Sequence, residues 1–477
     1  MTMQSDLQAL GEFLRRALLD PARPNQLAIS GSEEALTWQQ LSLAVMDWVG
    51  RYRELRLPPA VPVVLYGHQQ AEFAVAIYSC LLHGIPYIPV DCIYPPERLR
   101  EICTLASAPQ YYDVAQREFV STGIAAKPLE EPDLAYIMFT SGSTGKPKGV
   151  QIGRESVWSF MQWVGQDFVL PESPVLMNHA VFSFDLSLIP LLANLATSGH
   201  IVLNAKEHIA AENWLDMLSE KGVSAWVSTP SFAYQKLISP RFSAEYLPAL
   251  KVFVFIGEVL NKALVKQLRR RFPAAKIINA YGPTEATIAT TVVEITDAML
   301  MSDSDLLPIG QMMPNSFMEI APEGELIIWG KNVMRGYLGL DEENAAKLLK
   351  RDDSPWRGYR TGDLGYEQDY FYCSGRNDSQ IKLNGYRIEI SEIEARLLNL
   401  PGMQEAVVMP LMKPGGGVLR IAAFCVTELS PNAIKQALAE VIPSYMVPGQ
   451  ILIKENLPLN PNGKIDRKLL DAQARVN

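Results

Sequence analysis

The sequence predicts an α/β protein: a large N-terminal α/β domain with mostly parallel sheets, followed by a small C-terminal α+β domain. Three observations predict it. Short apolar, β-branched runs alternate with helical stretches over roughly the first 300 residues. Each run ends in Gly, Pro or a polar residue. From residue 378 onward strands interleave with two helices, the texture of a separate unit. At 477 residues the chain is about three times a typical ~150-residue domain, which leaves room for one large and one small domain.

Taken in order, residues 5–19 place Leu7, Leu10, Phe13, Leu14 and Leu18 along one face of an amphipathic helix. VPVVLYG, ending at Gly67, reads as a buried strand, 71–82 as a helix and IPYIPVD (85–91) as the next strand. PPERLREICTLA then opens a helix on its prolines. The alternation continues through HIVLN (200–204), SAWVSTP (224–230), KVFVFIGE (251–258) and KIINAYGP (276–283). In open α/β sheets, ligands bind beyond the carboxyl ends of the strands, so the residues at these ends are candidates for chemistry. After about residue 300 the strands shorten and turns multiply as far as SGRND (374–378), which gives domains 1–377 and 378–477. The second contains QIKLNGYRIEI, a helix over 391–400, AVVMPL, IAAFCVT and a helix over 431–441, with PGGG (414–417) as a turn between strands.

Composition excludes several classes. Hydrophobic residues at 48% and charged residues at 20% are ordinary for a folded globular protein. Against 43 Lys and Arg stand 52 Asp and Glu, a formal charge of −9 that argues against nonspecific nucleic-acid binding by phosphate neutralisation. Cys80, Cys92, Cys103, Cys373 and Cys425 form no C-x-x-C pair, and with five histidines there is no zinc signature. They read as buried core thiols of a reducing compartment. The N-terminus carries acids where a signal peptide needs a basic end, and no apolar run approaches the ~18 residues of a membrane span. The expectation is a soluble, cytoplasmic protein with no membrane insertion.

The most informative stretch is YIMFTSGSTGKPKGV (136–150). A buried strand opens into residues that are almost all Gly, Ser, Thr, Lys or Pro. Glycines let backbone amides approach an anion, the hydroxyls of Thr140, Ser141, Ser143 and Thr144 donate to phosphate oxygens, and Lys146 and Lys148 add charge. It is not a Walker A loop: Gly142 and Gly145 are separated by two residues rather than four, and Pro147 follows Lys146.

With YGPTEAT (281–287), YRTGD (359–363), GRNDSQIKLNGYRIE (375–389) and NGKIDRK (462–468), the loop makes five motifs that resemble, in order, those of the acyl- and aminoacyl-adenylate-forming enzymes. FDLS (184–187), STPSFAYQKL (228–237) and the passage from YGPTEAT into VVEIT are most similar to stand-alone amino-acid adenylation enzymes, above all the D-alanyl carrier protein ligases. The resemblance implies a reaction in two steps. A carboxylate attacks the α-phosphate of ATP and releases pyrophosphate; a phosphopantetheine thiol then takes the acyl group from the adenylate. It also implies that the small domain is mobile about a hinge at Asp378. The loop from Thr140 to Lys148 would hold the β- and γ-phosphates, Tyr281 would stack on the adenine, and Ala280 and Gly282 would be ATP-binding beside it. Thr284 would meet the α-phosphate, Glu285 would hold Mg²⁺, Asp363 would accept both ribose hydroxyls and Arg376 would assist it. Lys464 would be the catalytic lysine, neutralising charge at the α-phosphate. Gly385 would leave space for the pantetheine arm.

Asp185 matches the aspartate that pairs with the substrate's α-ammonium in amino-acid-activating members; capping of the following helix is the other reading of this residue. Leu186, Ile189, Ser231, Val254, Ile256, Ala280, Ile288 and Ala289 match the rest of the amino-acid pocket. Only Ser231 is polar, so a charged substrate side chain finds no partner there. Alanine fits best, but Ile256 stands where the D-alanyl ligases have a cysteine, which leaves L-alanine, glycine, L-proline or another small residue open beside D-alanine. The chain ends about ten residues past NGKIDRK, so the carrier protein is expected in trans. Two other readings stay open: an acyl-CoA or amide synthetase, and a noncatalytic nucleotide-binding scaffold.

Overall fold

The computed structural model describes residues 3–31, 34–142, 147–205, 209–352, 354–378, 380–413, 417–458 and 465–476. The chain divides into two compact units: Met1–Asp91, Cys103–Met138 and Gly149–Asn377 form one, and Cys92–Ile102, Phe139–Lys148 and Asp378–Asn477 form the other. Two segments that are early in sequence, 92–102 and 139–148, therefore count with the C-terminal unit.

The first unit is organised by three sheets. In one, the strands Lys276–Tyr281, Val252–Phe255, Ala225–Ser228, Val175–Asn178, His200–Leu203 and Leu27–Ser30 lie side by side and parallel. Antiparallel strands close both edges, Thr291–Glu294 with Gln311–Met312 at one and Ala35–Thr37 at the other. The second sheet runs in the order Gly336–Tyr337, Lys148–Gly153, Leu134–Thr140, Tyr87–Asp91, Val63–Gly67, Gln110–Asp113, Glu118–Ser121. Its central strands read as continuous apolar runs because both faces are buried, as with Val63, Val64 and Leu65, all fully inaccessible, whereas the edge strands Gln110–Asp113 and Glu118–Ser121 are partly exposed. The third sheet, formed after about residue 300 where the sequence changes to shorter strands and more turns, is antiparallel: Ser316–Ile320, Glu325–Gly330, Ser354–Glu367, Leu348–Arg351 and Phe371–Arg376. Short turns join several of them, which only antiparallel neighbours permit.

The first helix, Met3–Leu19, buries Leu10, Leu14 and Leu18 completely. Asp6, also buried, accepts from Lys331 Nζ at 2.7 Å. Three cysteines, Cys80, Cys103 and Cys425, are core residues as expected; Cys92, in the turn after the strand Tyr87–Asp91, is exposed, and Cys373, within the partly exposed strand Phe371–Arg376, is half-buried, so these two depart from the expectation.

The second unit contains the hairpin Gln380–Leu383 with Tyr386–Glu389 and a three-stranded sheet of Met403–Met412, Val418–Thr427 and Gln450–Ile453. The helices Ile390–Leu398 and Pro431–Ala439 pack Ile393, Leu397, Ile434 and Leu438 onto it. A third helix, Arg467–Val476, departs from the two-helix expectation; it buries Leu470 and Ala474, one turn apart. Among the described residues no helix is long and apolar enough to cross a membrane.

Candidate active site

Three neighbouring parallel strands position the amino-acid residues. Val227, Val254 and Ile278 are in register across them, so their carboxyl ends carry Thr229 to Ser231, Ile256, and Ala280 with Tyr281 at one level. Leu186, Ile189, Val254, Ile256, Ala280, Ile288 and Ala289 are all buried and belong to one apolar cluster. Ser231, half-buried, donates its backbone N–H to Glu258 Oε2 at 3.0 Å. Asp185 opens a one-turn 3₁₀ helix, Asp185–Ser187, and is half-buried. The helix that follows, Leu188–Thr197, has Ser187 at its N-cap and no side-chain cap bond, so the capping reading of Asp185 finds no support. Burial, then Tyr87, then the Asp185 carboxylate push the phenol of the fully buried Tyr136 well above its usual range.

The turn after Tyr281 is tightly built. A Cβ on Gly282 would stand 2.6 Å from Ala289 Cα, so only glycine allows the backbone to double back there. Thr284 and Glu285 lie in the 3₁₀ turn Thr284–Ala286. Thr287 (φ 58°) and Ile288 (φ 71°) follow in the left-handed region, where β-branched residues are strained. Asn332, fully buried, over-determines that conformation: its carbonyl accepts from Thr287 Oγ1 at 2.6 Å, and its Nδ2 donates to Ala286 O at 3.1 Å and Thr290 Oγ1 at 3.2 Å. Glu285 is also fully buried and accepts from Tyr337 Oη at 2.7 Å, with Tyr359 Oη 3.2 Å from the Tyr337 hydroxyl. A buried carboxylate is a hard oxygen donor of the kind Mg²⁺ takes.

Asp363 and Arg376 face each other across the pair Ser354–Glu367 and Phe371–Arg376, where they are register partners. Asp363 Oδ2 accepts from Tyr281 Oη at 2.6 Å and Oδ1 pairs with Arg376 Nη1; Arg376 Nη2 reaches Thr361 O at 3.1 Å. Burial, then the Asp363 charge, raise the Tyr281 phenol well above its ordinary value, so it stays a donor. Gly362 N–H donates to Glu325 Oε1 at 2.9 Å, and Glu325 Oε2 pairs with Arg360 at 2.6 Å. The structure thus joins the YGPTEAT and YRTGD motifs through the hydrogen bond from Tyr281 to Asp363.

Of the phosphate loop, Thr140, Ser141, Gly142 and Lys148 are described, whereas Ser143, Thr144, Gly145 and Lys146 lie outside the described residues, as does Lys464. Ser141 Oγ donates to Arg387 O at 3.0 Å and accepts from Glu389 N–H at 3.1 Å; Gly142 N–H donates to Glu392 Oε2 at 3.0 Å. These contacts lie within the second unit. Asp378 accepts from Gln380 N–H at 3.2 Å. Asn384 (φ 52°) and Gly385 (φ 85°) link Leu383 to Tyr386 in a two-residue hairpin, a conformation that by itself calls for Asn-Gly. Asn332, Tyr337, Glu325 and Glu392 are the residues that sequence reasoning missed. Tyr359 and Thr361 lay inside a quoted motif, but nothing local marked the others.

Residues 103–338 match the model of the AMP-binding enzyme family and residues 392–464 that of the AMP-binding enzyme C-terminal domain. The chain is 36% identical to the D-alanine--D-alanyl carrier protein ligase of Bacillus licheniformis, with 95% of this chain and 97% of that protein covered. It is 35% identical to the ligase of the same name from Bacillus velezensis, covering 95% and 98%. Among solved structures, the Vibrio cholerae adenylation domain AlmE, in complex with glycyl-adenosine-5'-phosphate, superposes with a TM-score of 0.83 at 20% identity, over 98% of both chains. The amide bond synthetase McbA of Marinactinospora thermotolerans gives 0.81 at 19% identity, over 97% and 99%, a likeness of fold. The chain belongs to the AMP-binding, adenylate-forming enzyme family and is an AMP-forming ligase.

Proposed function

We propose that this ligase activates a small amino acid, alanine or one of similar size, as the aminoacyl adenylate and transfers it to the phosphopantetheine thiol of a separate carrier protein. The observation that carries the reading is that Ala280 and Tyr281, consecutive on one strand, belong to both halves of the site. Tyr281 is bonded to the acidic Asp363 of the nucleoside cradle, while Ala280 lies among the apolar residues matched to the amino acid. The relatives' printed names, D-alanine--D-alanyl carrier protein ligase, give the substrate and acceptor class.

In the first step a carboxylate oxygen of the amino acid attacks the α-phosphorus of ATP and pyrophosphate leaves. Asp185 pairs with the substrate ammonium, and Leu186, Ile189, Ser231, Val254, Ile256, Ile288 and Ala289 enclose an uncharged side chain, since burying an unpaired charge there would cost several kcal/mol. Asp363 and Arg376 fix the ribose, Thr284 meets the α-phosphate, and the loop from Thr140 to Lys148 holds the β- and γ-phosphates. Glu285 would hold Mg²⁺, which supplies charge neutralisation at the phosphates. Lys464 neutralises the charge developing as the two anionic groups meet. In the second step the pantetheine sulfur attacks the adenylate carbonyl carbon and AMP leaves. Residues 378–477 act as a lid that pivots at Asp378, with Gly385 clearing the pantetheine arm.

Amino-acid-dependent exchange of labelled pyrophosphate into ATP, run over the twenty L-acids, D-alanine and glycine, tests the reading. Exchange with alanine or a residue of its size supports it. No exchange with any of these, but exchange when a fatty or aryl acid is supplied instead, makes the chain an acyl-CoA or amide synthetase, and silence with all of them makes it a scaffold. Ile256, buried to 3% exposure, is the residue matched to the position beside the substrate side chain. Ile256→Cys should shift the D/L preference, and an unchanged preference contradicts its assignment to the pocket.

A further inference from the structure

The turn after Tyr281 is gripped at two points by different groups. Glu285 is held from the segment 334–337: Met334 N–H donates to Glu285 O at 2.8 Å, and Tyr337 Oη donates to Glu285 Oε1 at 2.7 Å. The stretch from Ala286 to Thr290 is held by Asn332. The fully buried Asn332 amide places one proton on Ala286 O at 3.1 Å and the other on Thr290 Oγ1 at 3.2 Å, and the Asn332 backbone carbonyl accepts from Thr287 Oγ1 at 2.6 Å. The amide is itself fixed from behind. Its Oδ1 accepts from Ser316 Oγ at 2.7 Å, and a Cβ on Gly330 would stand 2.5 Å from that oxygen, so only glycine there leaves the amide its place. Both amide protons and the amide oxygen of Asn332 are therefore engaged, which gives the side chain one orientation.

The stretch it holds is one that relaxes when released. Thr287 (φ 58°, ψ 74°) and Ile288 (φ 71°) are consecutive β-branched residues in the left-handed region, a conformation that persists only where surrounding bonds enforce it. Relaxation there moves Ile288 and the residue after it, Ala289. On the reading that Ile288 and Ala289 enclose the substrate side chain, we infer that Asn332 is a positioning residue for amino-acid selectivity: it holds the strained pair so that Ile288 and Ala289 form a fixed wall against which side-chain size is measured. Glu285 keeps its own partners, Met334 N–H and Tyr337 Oη, when Asn332 is removed. Loss of Asn332 therefore loosens the amino-acid wall and spares the carboxylate proposed to hold Mg²⁺. That separation distinguishes positioning from a general support of the fold.

The test is amino-acid-dependent pyrophosphate exchange by the full chain, wild type and Asn332→Ala. It is run with the amino acid that supports the fastest exchange and with its homologue one methylene longer. In the variant the KM of the preferred amino acid should rise about tenfold and its kcat/KM advantage over the homologue should fall at least about threefold, while the ATP KM stays within about twofold. A fall in kcat with both KM values and the preference unchanged, as from a smaller folded fraction, overturns the inference, and so does an equal rise in the two KM values. Glycine adopts positive φ without strain, so Asn332→Ala combined with Thr287→Gly should recover part of the lost preference; a double variant no better than the single one overturns the inference. Should Asn332→Ala fold poorly, Thr290→Val decides, since it removes one acceptor of the amide and keeps the bulk. It should raise the amino-acid KM about threefold at constant ATP KM, and an unchanged amino-acid KM overturns the inference. A wild type without amino-acid-dependent exchange would refute the pocket reading itself. Normal exchange that is indifferent to Asn332 refutes only the positioning role.

Discussion

Asp363 and Ser141 are both buried side chains assigned to the nucleotide, and both already have partners, but the partners leave them with different capacities. Asp363 accepts from Tyr281 and Arg376, and a carboxylate has about four lone-pair sites, so it can take ribose hydroxyls without giving up either bond. Ser141 and Gly142 each have a single proton to give, and Arg387 O and Glu392 hold those protons. On the proposed function the nucleoside cradle is therefore preset, whereas the two loop donors would have to change partners to meet a phosphate. Acceptor-rich groups can be pre-organised without being used up; single donors cannot.

The variants that break or sharpen this contrast differ in size. If Lys464 has the proposed role of acting on developing charge, Lys464→Ala should cost about 10²–10³-fold or more in pyrophosphate exchange while ATP Kd from calorimetry barely moves. Near-normal exchange would remove it from the mechanism. Asp363→Ala deletes an acceptor and strands Arg376, and should weaken ATP and AMP alike by about 10–100-fold; a loss confined to ATP would contradict a cradle that reads only the nucleoside. Asp185→Asn keeps the shape but removes the charge matched to the ammonium, and should lower kcat/KM for the amino acid by about tenfold with the ATP KM unchanged, measured by exchange.

The smallest effect concerns stability rather than binding. Burial, reinforced by Lys236, pushes His179 down to about 3, and burial with Lys221 pushes His200 down to about 4. His179 stacks on Phe232 at 3.8 Å, and His200 Nε2 is 2.8 Å from Ser30 Oγ. Both are neutral in the fold, while in the unfolded chain they take up protons below the ordinary 6.5. Stability contributed by the neutral forms is present above pH 6.5 and declines as pH falls toward 4. Urea unfolding midpoints should drop over that window, and His200→Asn should flatten the slope.

The parts of the site legible in the sequence are those whose geometry is local. YGPTEAT turns at the end of the strand Lys276–Tyr281, and YRTGD lies within the strand Ser354–Glu367, so each motif is one continuous local stretch. Residues that hold these turns from a distance left no pattern. Asn332 bonds Thr287 from 45 positions away and Glu392 meets Gly142 from 250. An Asn or a Glu in an ordinary run looks alike whether it grips a strained turn or faces water. The alternation of apolar runs gave the first two sheets, whereas antiparallel pairing in the third depends on contacts between strands that period-2 patterns leave unassigned. The helix Arg467–Val476 was short and charged enough to pass for a tail, and its Leu470–Ala474 seam shows only once packed.

The central claim is that one amino acid passes through an adenylate to a carrier thiol. Intact mass spectrometry of a phosphopantetheinylated carrier protein, incubated with this chain, ATP and each small amino acid in turn, tests it most directly. The account predicts that the carrier gains the mass of a single aminoacyl group with alanine or an acid of its size, and that omitting ATP abolishes the gain. A carrier that stays unmodified with every amino acid, while fatty or aryl acids support adenylate formation, would contradict it.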